Sequence, residues 1–308
     1  MADIALTDKA LLQGLVTAAY GKRYGVEISD SAGTKQISCV TRGKKTDLAC
    51  GDRVEIKLTD TSEGVVERSL PRSSLLYRSN AYRSKMLAAN VTKVIIVLAT
   101  TPSFYEALLN RCLIAAEAAG IEVLIVLNKC DIAERSPGQH NEAMEKLALY
   151  SSLGYQVQPL SAKLDIAPLR QWLRGHVSVL VGQSGMGKST IVNALLPDSQ
   201  VRTQEVSEVL DSGKHTTTAA HLYHLDAESD LIDSPGLQEF GLNHLDIEQL
   251  EHAFIEFRPY LGKCRFNNCR HMKEPDCAII GAVEQGSVSA KRLAYYQELT
   301  GEIGRQPD

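Results

Sequence analysis

Between residues 182 and 190 the chain reads Gly182-Gln183-Ser184-Gly185-Met186-Gly187-Lys188-Ser189-Thr190. An apolar run at 177–181 precedes this segment and a helical pattern at 188–196 follows it, which is the context that a P-loop requires. The glycines let backbone N–H groups turn inward towards phosphates, and the dipole of the following helix adds positive potential. We therefore expect a nucleotide here, with Lys188 on its β- and γ-phosphates and the Ser189 hydroxyl on Mg²⁺.

Strand and helix patterns alternate on both sides of this loop. Apolar strand patterns occupy 94–99, 122–127, 156–160, 177–181, 221–225 and 230–232, and helical patterns occupy 103–119, 141–153, 166–173 and 188–196. Such alternation predicts a mostly parallel sheet with helices on both faces. Ligands of these sheets bind beyond the carboxyl ends of the strands, so motifs that follow different strands can share one site.

Two motifs that follow strands suit the recognition of a guanine base. The first is Asn128-Lys129-Cys130-Asp131. The Asn128 amide can bond the base, and the Asp131 carboxylate can accept from the ring N–H and the exocyclic amine, a donor pair that adenine lacks. The second motif, Ser161-Ala162-Lys163, ends the next strand and could close over the base.

Two further segments suit the phosphate end of the same nucleotide. Asp233 and Gly236 belong to an Asp-Ser-Pro-Gly motif at the end of a strand. We expect Asp233 to hold Mg²⁺ through water and the Gly236 N–H to meet the γ-phosphate. A threonine within 213–218 could complete the Mg²⁺ shell. Ras-like enzymes orient the attacking water with a Gln just after this motif; here Leu237 stands there, and His215 is the nearest alternative.

The order of these motifs is rotated. In ordinary GTPases the P-loop comes first, whereas here the motifs at 128 and 161 precede the P-loop at 182. The same sheet can form with the chain cut elsewhere, so the order predicts a circularly permuted GTPase domain. The Asp-Ser-Pro-Gly motif then leads directly into the C-terminal region, to which loss of the γ-phosphate could be transmitted.

The N-terminal region has a different pattern. Short strand patterns occupy 15–20, 24–29, 35–41, 52–58 and 64–68. Five strands in so short a segment predict a small barrel, for which an OB-fold is the leading interpretation and an SH3-like barrel fits almost as well. Beyond residue 244 the patterns predict helices at 247–257 and 287–299.

A cluster of metal-ligand residues lies between these last two helices. It consists of Cys264, Cys269, His271 and Cys277. Three thiolates and an imidazole at loop spacing suit tetrahedral Zn²⁺, and a four-ligand set leaves no position for water, so the site should be structural. The alternatives are three free cysteines beside a surface histidine, or a redox role, which the lack of a Cys-x-x-Cys pair disfavours.

The charge distribution adds a further indication. The net charge is −4, but the excess of acidic residues lies in the middle of the chain. The flanks hold two basic groups, which are Arg68, Arg72, Arg78, Arg83 and Lys85, and then Lys263, Arg265, Arg270, His271 and Lys273. A barrel and a zinc module with local basic residues are reasonable RNA-binding devices, although charge runs are usually just solvated faces.

The N-terminal residues have no apolar signal-peptide core, and the longest aliphatic runs are too short to span a membrane. We therefore expect a cytoplasmic protein without disulfides.

Together these motifs resemble the bacterial ribosome small subunit-dependent GTPase A (RsgA or YjeQ) family. The likeness covers nearly the whole chain and includes Arg42-Gly43, Gly51-Asp52-Arg53-Val54, Ala88-Ala89-Asn90-Val91, the Gly-Lys-His-Thr-Thr-Thr segment at 213–218 and the Asp-Ser-Pro-Gly-Leu-Gln-Glu-Phe-Gly-Leu segment at 233–242. Lys214 stands where many members are expected to have Arg.

The resemblance implies an OB-fold over 1–77, a circularly permuted GTPase domain over 78–243 and a mainly helical zinc-binding domain over 244–308. It implies binding of GTP and GDP, of the 30S ribosomal subunit and of its 16S rRNA, by a protein expected to be a monomer. GTP hydrolysis would be stimulated by the subunit during late maturation and coupled to release. His215 would be the catalytic histidine and Thr217 the switch threonine that binds Mg²⁺.

Two other functions stay open at this point. One is a GTP-dependent RNA-binding scaffold with negligible turnover, which Leu237 permits. The other is a metabolic P-loop kinase or ATPase, which the Asn128–Asp131 motif argues against.

Overall fold

The computed structural model describes residues 11–30, 33–42, 48–80, 83–196, 220–234 and 242–303. Several predicted functional residues lie outside these ranges, namely Lys214, His215, Thr217, Gly236 and Leu237.

The N-terminal region forms a closed barrel. Its strands are β1 (Leu12–Tyr20), β2 (Arg23–Asp30), β3 (Gly33–Thr41), β4 (Arg53–Leu58) and β5 (Glu63–Ser69). They pair in the order β1-β2-β3-β5-β4, and β4 pairs back with β1 to close the barrel. The pairing of β3 with β5 is parallel and the other pairings in the barrel are antiparallel. This five-stranded closed arrangement is that of an OB-fold, the leading of the two predicted interpretations.

A hairpin that the sequence patterns did not predict connects the barrel to the next sheet. It consists of β6 (Leu75–Asn80) and β7 (Arg83–Ala89). Asn90 fixes the end of the hairpin, because its side-chain oxygen accepts from the Ser73 N–H at 2.9 Å and its amide donates to the Gly51 carbonyl at 2.8 Å. Gly51 has a φ of +89°, and an added Cβ would lie 2.1 Å from the Ala89 carbonyl oxygen.

The second sheet is the predicted α/β unit. Its strands are β8 (Lys93–Ala99), β9 (Glu122–Asn128), β10 (Gln156–Pro159), β11 (Val177–Val181), β12 (Ala220–His224) and β13 (Asp230–Asp233). They lie in the order β10-β9-β8-β11-β13-β12, and all pairings except the antiparallel β12–β13 pair are parallel. The connecting helices are α1 (Glu106–Ala118), α2 (Pro137–Ser152), α3 (Ala167–Leu173) and α4 (Lys188–Leu195). The predicted elements of this unit are confirmed, with ends shifted by a few residues.

The two sheets are continuous. β12 pairs antiparallel with β1 of the barrel, and Ala18 lies opposite His221. The buried Cys50 thiol adds to the junction by donating to the Ala220 carbonyl at 3.0 Å. His224 also bridges the two units, since its ring nitrogens lie 2.6 Å from Asp230 and 3.2 Å from Glu27 of β2.

The C-terminal region packs on the outer face of α1. It contains α5 (Ile247–Ala253), a 3₁₀ turn (Ile255–Tyr260), α6 (Ala278–Glu284) and α7 (Ala290–Ile303). The single helix predicted at 247–257 is therefore divided at Phe254, and α6 was not predicted. Arg292 of α7 is fully buried and donates to Glu256 and to Asn110 of α1.

Among the described residues, no helix is both long and apolar enough to cross a membrane.

Candidate functional site

The predicted P-loop lies between the end of β11 and the start of α4, where two of its glycines have no room for a side chain. Gly182 has a φ of +148°, and a Cβ there would lie 2.3 Å from the Val97 carbonyl oxygen. Gly187 has a φ of +92°, and its Cβ would lie 2.4 Å from the Asn128 side-chain nitrogen. Glycine is thus required at both positions for the loop to pack against β8 and β9.

Lys188 lies inside this loop. Its ammonium group donates to the carbonyls of Gly182 at 2.8 Å and Gln183 at 2.9 Å. Burial lowers the pKa of Lys188, and the nearby Asp233 carboxylate opposes that shift. The loop therefore holds a desolvated cation at its centre, where a phosphate would find a strong electrostatic partner.

Asp233 ends β13 on the phosphate side of the loop. Burial raises the pKa of Asp233 to about 6, and the charge of Lys188 opposes that shift. Its Oδ1 is buried and has no hydrogen-bond partner among the described residues. The Ser234 hydroxyl donates to the Leu180 carbonyl at 2.7 Å and so fastens the end of β13 to β11. A buried carboxylate oxygen without a donor is a fitting group for Mg²⁺ or its bound water.

Asn128 connects three of the predicted motifs. Its amide nitrogen donates to the Met186 carbonyl of the P-loop at 3.1 Å, and its oxygen accepts from the Ala162 N–H at 3.1 Å. Both polar groups of the side chain thus bind protein atoms, and Asn128 holds the P-loop and the 161–163 segment in a fixed relation. The direct contact between this amide and the base, which the motif predicts, stays a prediction.

The neighbouring Lys129 links the P-loop to the segment that follows β8. Its φ is +62°, and its ammonium group donates to the carbonyls of Gly185 at 2.6 Å and Thr101 at 2.9 Å. The sequence motif gave no sign of Thr101, or of the Tyr105 N–H that donates to the Gln183 side chain at 2.9 Å. Both belong to the segment between β8 and α1, which carries no nucleotide motif of its own.

Asp131 stands at the open side of the site. Its Oδ1 accepts from the Ser161 hydroxyl at 2.8 Å, so two predicted base-contacting segments meet here. Lys163 and Ser189 are exposed. The 128–131 and 161–163 segments follow the neighbouring parallel strands β9 and β10. They lie at the same edge of the sheet as the P-loop for that reason.

The four predicted metal ligands lie together in the C-terminal region. Their ligand atoms all lie within 4.8 Å of one another. His271 Nδ1 lies 3.6, 3.5 and 3.3 Å from the sulfurs of Cys264, Cys269 and Cys277, and the sulfurs of Cys264 and Cys277 are 3.9 Å apart. Bonds of about 2.3 Å to sulfur and about 2.0 Å to nitrogen put the corners of a tetrahedron about 3.5–3.8 Å apart. The cluster could therefore hold a metal ion.

The backbone around the cluster is organised by two side chains. The Glu274 carboxylate accepts from the backbone N–H groups of Arg270, Met272 and Lys273. Partial desolvation raises the pKa of Glu274, but the backbone hydrogen bonds outweigh it and lower that pKa to about 2. Gln297 of α7 donates to the His271 carbonyl at 2.8 Å. These contacts support the left-handed φ of +57° at His271.

Three of the basic residues that were predicted to bind RNA form ion pairs with carboxylates. Arg68 makes a two-bond pair with Glu55, and Arg72 makes one with the fully buried Asp52. Arg265 pairs with Asp276 at 2.9 Å. Arg72 in particular has a structural role, since Asp52 also caps the Ala49 N–H at 2.8 Å.

The fold and the site define a class of protein. A P-loop, a guanine-type Asn-Lys-x-Asp motif and a buried Asp lie at one edge of a parallel sheet whose strands come in rotated order. This is the arrangement of a circularly permuted GTPase.

Comparisons with known proteins agree with this class. Residues 69–243 match the RsgA GTPase family. Proteins named small ribosomal subunit biogenesis GTPase RsgA are similar over most of the chain. The one from Nitrosospira multiformis is 52% identical over 292 residues, covering 95% of this chain and 91% of the relative. The one from Neisseria gonorrhoeae is 50% identical over 288 residues, covering 94% and 91%.

Two solved structures are also similar. The crystal structure of YjeQ from Thermotoga maritima aligns with a TM-score of 0.71 at 29% identity, covering 97% of this chain and 100% of that one. The structure of YloQ, described as a circularly permuted GTPase, aligns with a TM-score of 0.69 at 27% identity, covering 97% of each chain. The chain belongs to the RsgA GTPase family and is a GTP-hydrolysing enzyme.

Proposed function

We propose that this GTPase acts in the biogenesis of the small ribosomal subunit, as the names of its relatives say of them. It would bind the 30S subunit and its 16S rRNA late in maturation, in the cytoplasm and as a monomer. The subunit would stimulate GTP hydrolysis, and hydrolysis would release the protein. The observation that supports the nucleotide site of this proposal is the pair of hydrogen bonds made by Asn128, which link the P-loop to the 161–163 segment.

The described residues would bind different parts of GTP. Asp131 would accept from the guanine ring N–H and exocyclic amine, with Ser161 holding its carboxylate, and the segment that includes Lys163 would close over the base. Lys188 would leave the carbonyls of its own loop and donate to the β- and γ-phosphates. The remaining loop residues, Gly182 to Gly187 and Thr190, would offer backbone N–H groups.

Ser189 and Asp233 would bind Mg²⁺, directly and through water. The ion that they would hold would supply positive charge to the phosphates and so offset the negative charge that develops in the transition state. For the residues outside the described ranges we propose the roles that the family resemblance implies. Thr217 would complete the Mg²⁺ shell, the Gly236 N–H would meet the γ-phosphate, and His215 would orient the attacking water.

We propose that the ion at the cysteine cluster is Zn²⁺, one per chain, with a structural role. The distances among Cys264, Cys269, His271 and Cys277 support it, and so do their soft sulfur and imidazole ligands. We also propose the division of the chain at 1–77, 78–243 and 244–308, in which the barrel and the metal region flank the GTPase domain and supply its RNA contacts.

A first experiment tests the base site by changing its specificity. In Asp131→Asn the side chain keeps an oxygen for the ring N–H but presents an amine where guanine also has one. GDP affinity should fall by about 2–4 kcal/mol, the value of a lost charge-assisted pair. Xanthosine diphosphate, which has a carbonyl oxygen at that position, should bind the variant better than GDP. Glu134→Gln, an exposed acid-to-amide change near the motif, is the matched control.

A second experiment tests the ribosomal role. GTP turnover is measured with and without 30S subunits for the wild type and for His215→Ala. We expect stimulation of about 10³–10⁵-fold in the wild type, the range seen when a partner completes a GTPase site. The histidine variant should bind GTP and the subunit but lose the stimulation. A wild type that binds the subunit in the GTP state without faster turnover would favour the scaffold function instead.

A further inference from the structure

In the group of four proposed metal ligands, one ring nitrogen of the histidine faces the cysteine sulfurs and the other faces away from them. His271 Nδ1 is the atom that lies among the three sulfurs. His271 Nε2 is buried, the side chain being 4% exposed, and it has no hydrogen-bond partner among the described residues. A metal on Nδ1 leaves the proton on Nε2, so the bound state contains a buried N–H donor that needs an acceptor.

The surroundings of Nε2 offer one such acceptor. Glu251 Oε1 of α5 lies 3.6 Å away, and no other described carboxylate lies within 4.0 Å of the ring nitrogens. The other neighbours are aromatic, with ring centroids of Tyr296 at 5.7 Å and Phe257 at 6.5 Å from that of His271. These rings close the pocket to water and leave Nε2 facing the carboxylate.

Glu251 is itself held in place. The hydroxyl of Tyr296, a fully buried residue of α7, donates to Glu251 Oε1 at 3.1 Å. The Glu251 side chain is 18% exposed. Glu251 belongs to α5, and Tyr296 of α7 fixes the orientation of its carboxylate. The acceptor is therefore in position before a metal binds.

We propose that Glu251 is a positioning residue of the metal centre, an inference that rests on the metal site proposed above. Its carboxylate accepts the Nε2–H of His271, fixes the tautomer that presents Nδ1 to the ion, and increases the basicity of that nitrogen. Outer partners of this kind commonly change metal affinity by about 10–100-fold. The contact also links the proposed metal site to α5, the first described helix after β13.

Glu251→Gln in the full chain tests this pairing, because the amide keeps the shape and an acceptor oxygen but loses the charge. The probe is Zn²⁺ itself, competed against a chelator of known affinity, and the expected result is a 10–100-fold weaker affinity. Tyr296→Phe should weaken affinity by a smaller factor, since the carboxylate remains. The control is Glu248→Gln, an exposed acid-to-amide change one turn away on α5; it should leave affinity unchanged.

A second readout separates positioning from general support of the fold. In spectra of the zinc-loaded chain labelled with ¹⁵N-histidine, the Nε2–H proton of His271 should resonate far downfield and exchange slowly. In Glu251→Gln it should move upfield and exchange faster, while circular dichroism stays unchanged. Wild-type zinc affinity together with an unmoved resonance in the variant would overturn the inference and leave the metal site standing. A wild type that binds no Zn²⁺ would overturn both.

Discussion

Replacement of Arg292 by Met should release much of the C-terminal region from the GTPase domain. The guanidinium is fully buried, donates to Glu256 and Asn110, and lies 4.4 Å from the centre of the Phe254 ring. Methionine keeps much of the apolar length but leaves a carboxylate that is 5% exposed without its cation. Breaking a buried ion pair from one side costs about 3–5 kcal/mol, so we expect a loss of about 4 kcal/mol in the stability of this region.

Amide hydrogen exchange provides the measurement, because it reports the opening free energy of each segment separately. Peptides from α5 and α7 should exchange about 10³-fold faster in Arg292→Met, which is the expected loss expressed as an equilibrium constant, while peptides from the barrel should not change. The matched control is Lys291→Met. Its ion pair with Glu106 is half exposed at the lysine, and such pairs contribute about 0–1 kcal/mol.

The double variant Arg292→Met with Glu256→Leu checks the cause. Buried pairs replaced by apolar residues are often neutral or stabilising, so the double variant should recover most of the lost protection. The reasoning is refuted if the single variant loses less than about 1 kcal/mol, or if the double variant exchanges as fast as the single one, since the cost would then not come from the stranded carboxylate.

Three more predictions follow from described contacts. Gly182→Ala should abolish tight GDP binding and lower the melting temperature, because the left-handed backbone and the close carbonyl leave no room for a methyl group; Gly281→Ala, in an open helical position, should be neutral or stabilising by up to about 1 kcal/mol. The hydrogen bond to Asp230 raises the pKa of His224 to about 9, so its contribution to stability is complete below about pH 6.5, declines above that and is gone beyond about pH 9. The difference in melting temperature between wild type and His224→Gln should therefore shrink from pH 6 to pH 10. Because the ring is over a third exposed, the contribution of His224 to stability should be about 1 kcal/mol. A difference in melting temperature that stays constant over this pH range would contradict the prediction. Removal of the metal by a chelator should accelerate exchange in α6 and α7 and spare the barrel; equal exchange with and without chelator would argue against a structural metal.

The meeting of the nucleotide motifs at one edge of the sheet was predictable because its signals are local. Each motif directly follows a strand, and the parallel order of β8, β9, β10 and β11 then brings the motifs to one edge. The role of Asn128 as a joint was not predictable, since its partners Met186 and Ala162 are distant in sequence and are met only when the sheet has formed.

The errors at the ends of the chain have physical causes too. The spacing of Phe254 and Phe257 suits an α-helix and a 3₁₀ turn equally, so a helix break between them left no trace in the pattern, although both rings are buried. The ion pairs of Arg68 and Arg72 were also not predictable from the basic run, because their partners Glu55 and Asp52 lie on the preceding strand or just before it. That this run contacts RNA stays a prediction. The hairpin β6–β7, which the patterns did not predict, overlaps the second half of that run.

The pairing of β12 with β1 bears on how this protein can be divided for experiments. A chain from which the barrel is deleted would lose the partner of residues 220 and 221 and expose part of an open sheet edge, with unpaired N–H and C=O groups. Exposed edges promote association between chains. A barrel-deleted variant should therefore be examined for aggregation by light scattering before any loss of activity is assigned to missing contacts of the barrel. Substitution of surface residues on an intact barrel is the cleaner way to test what the barrel binds.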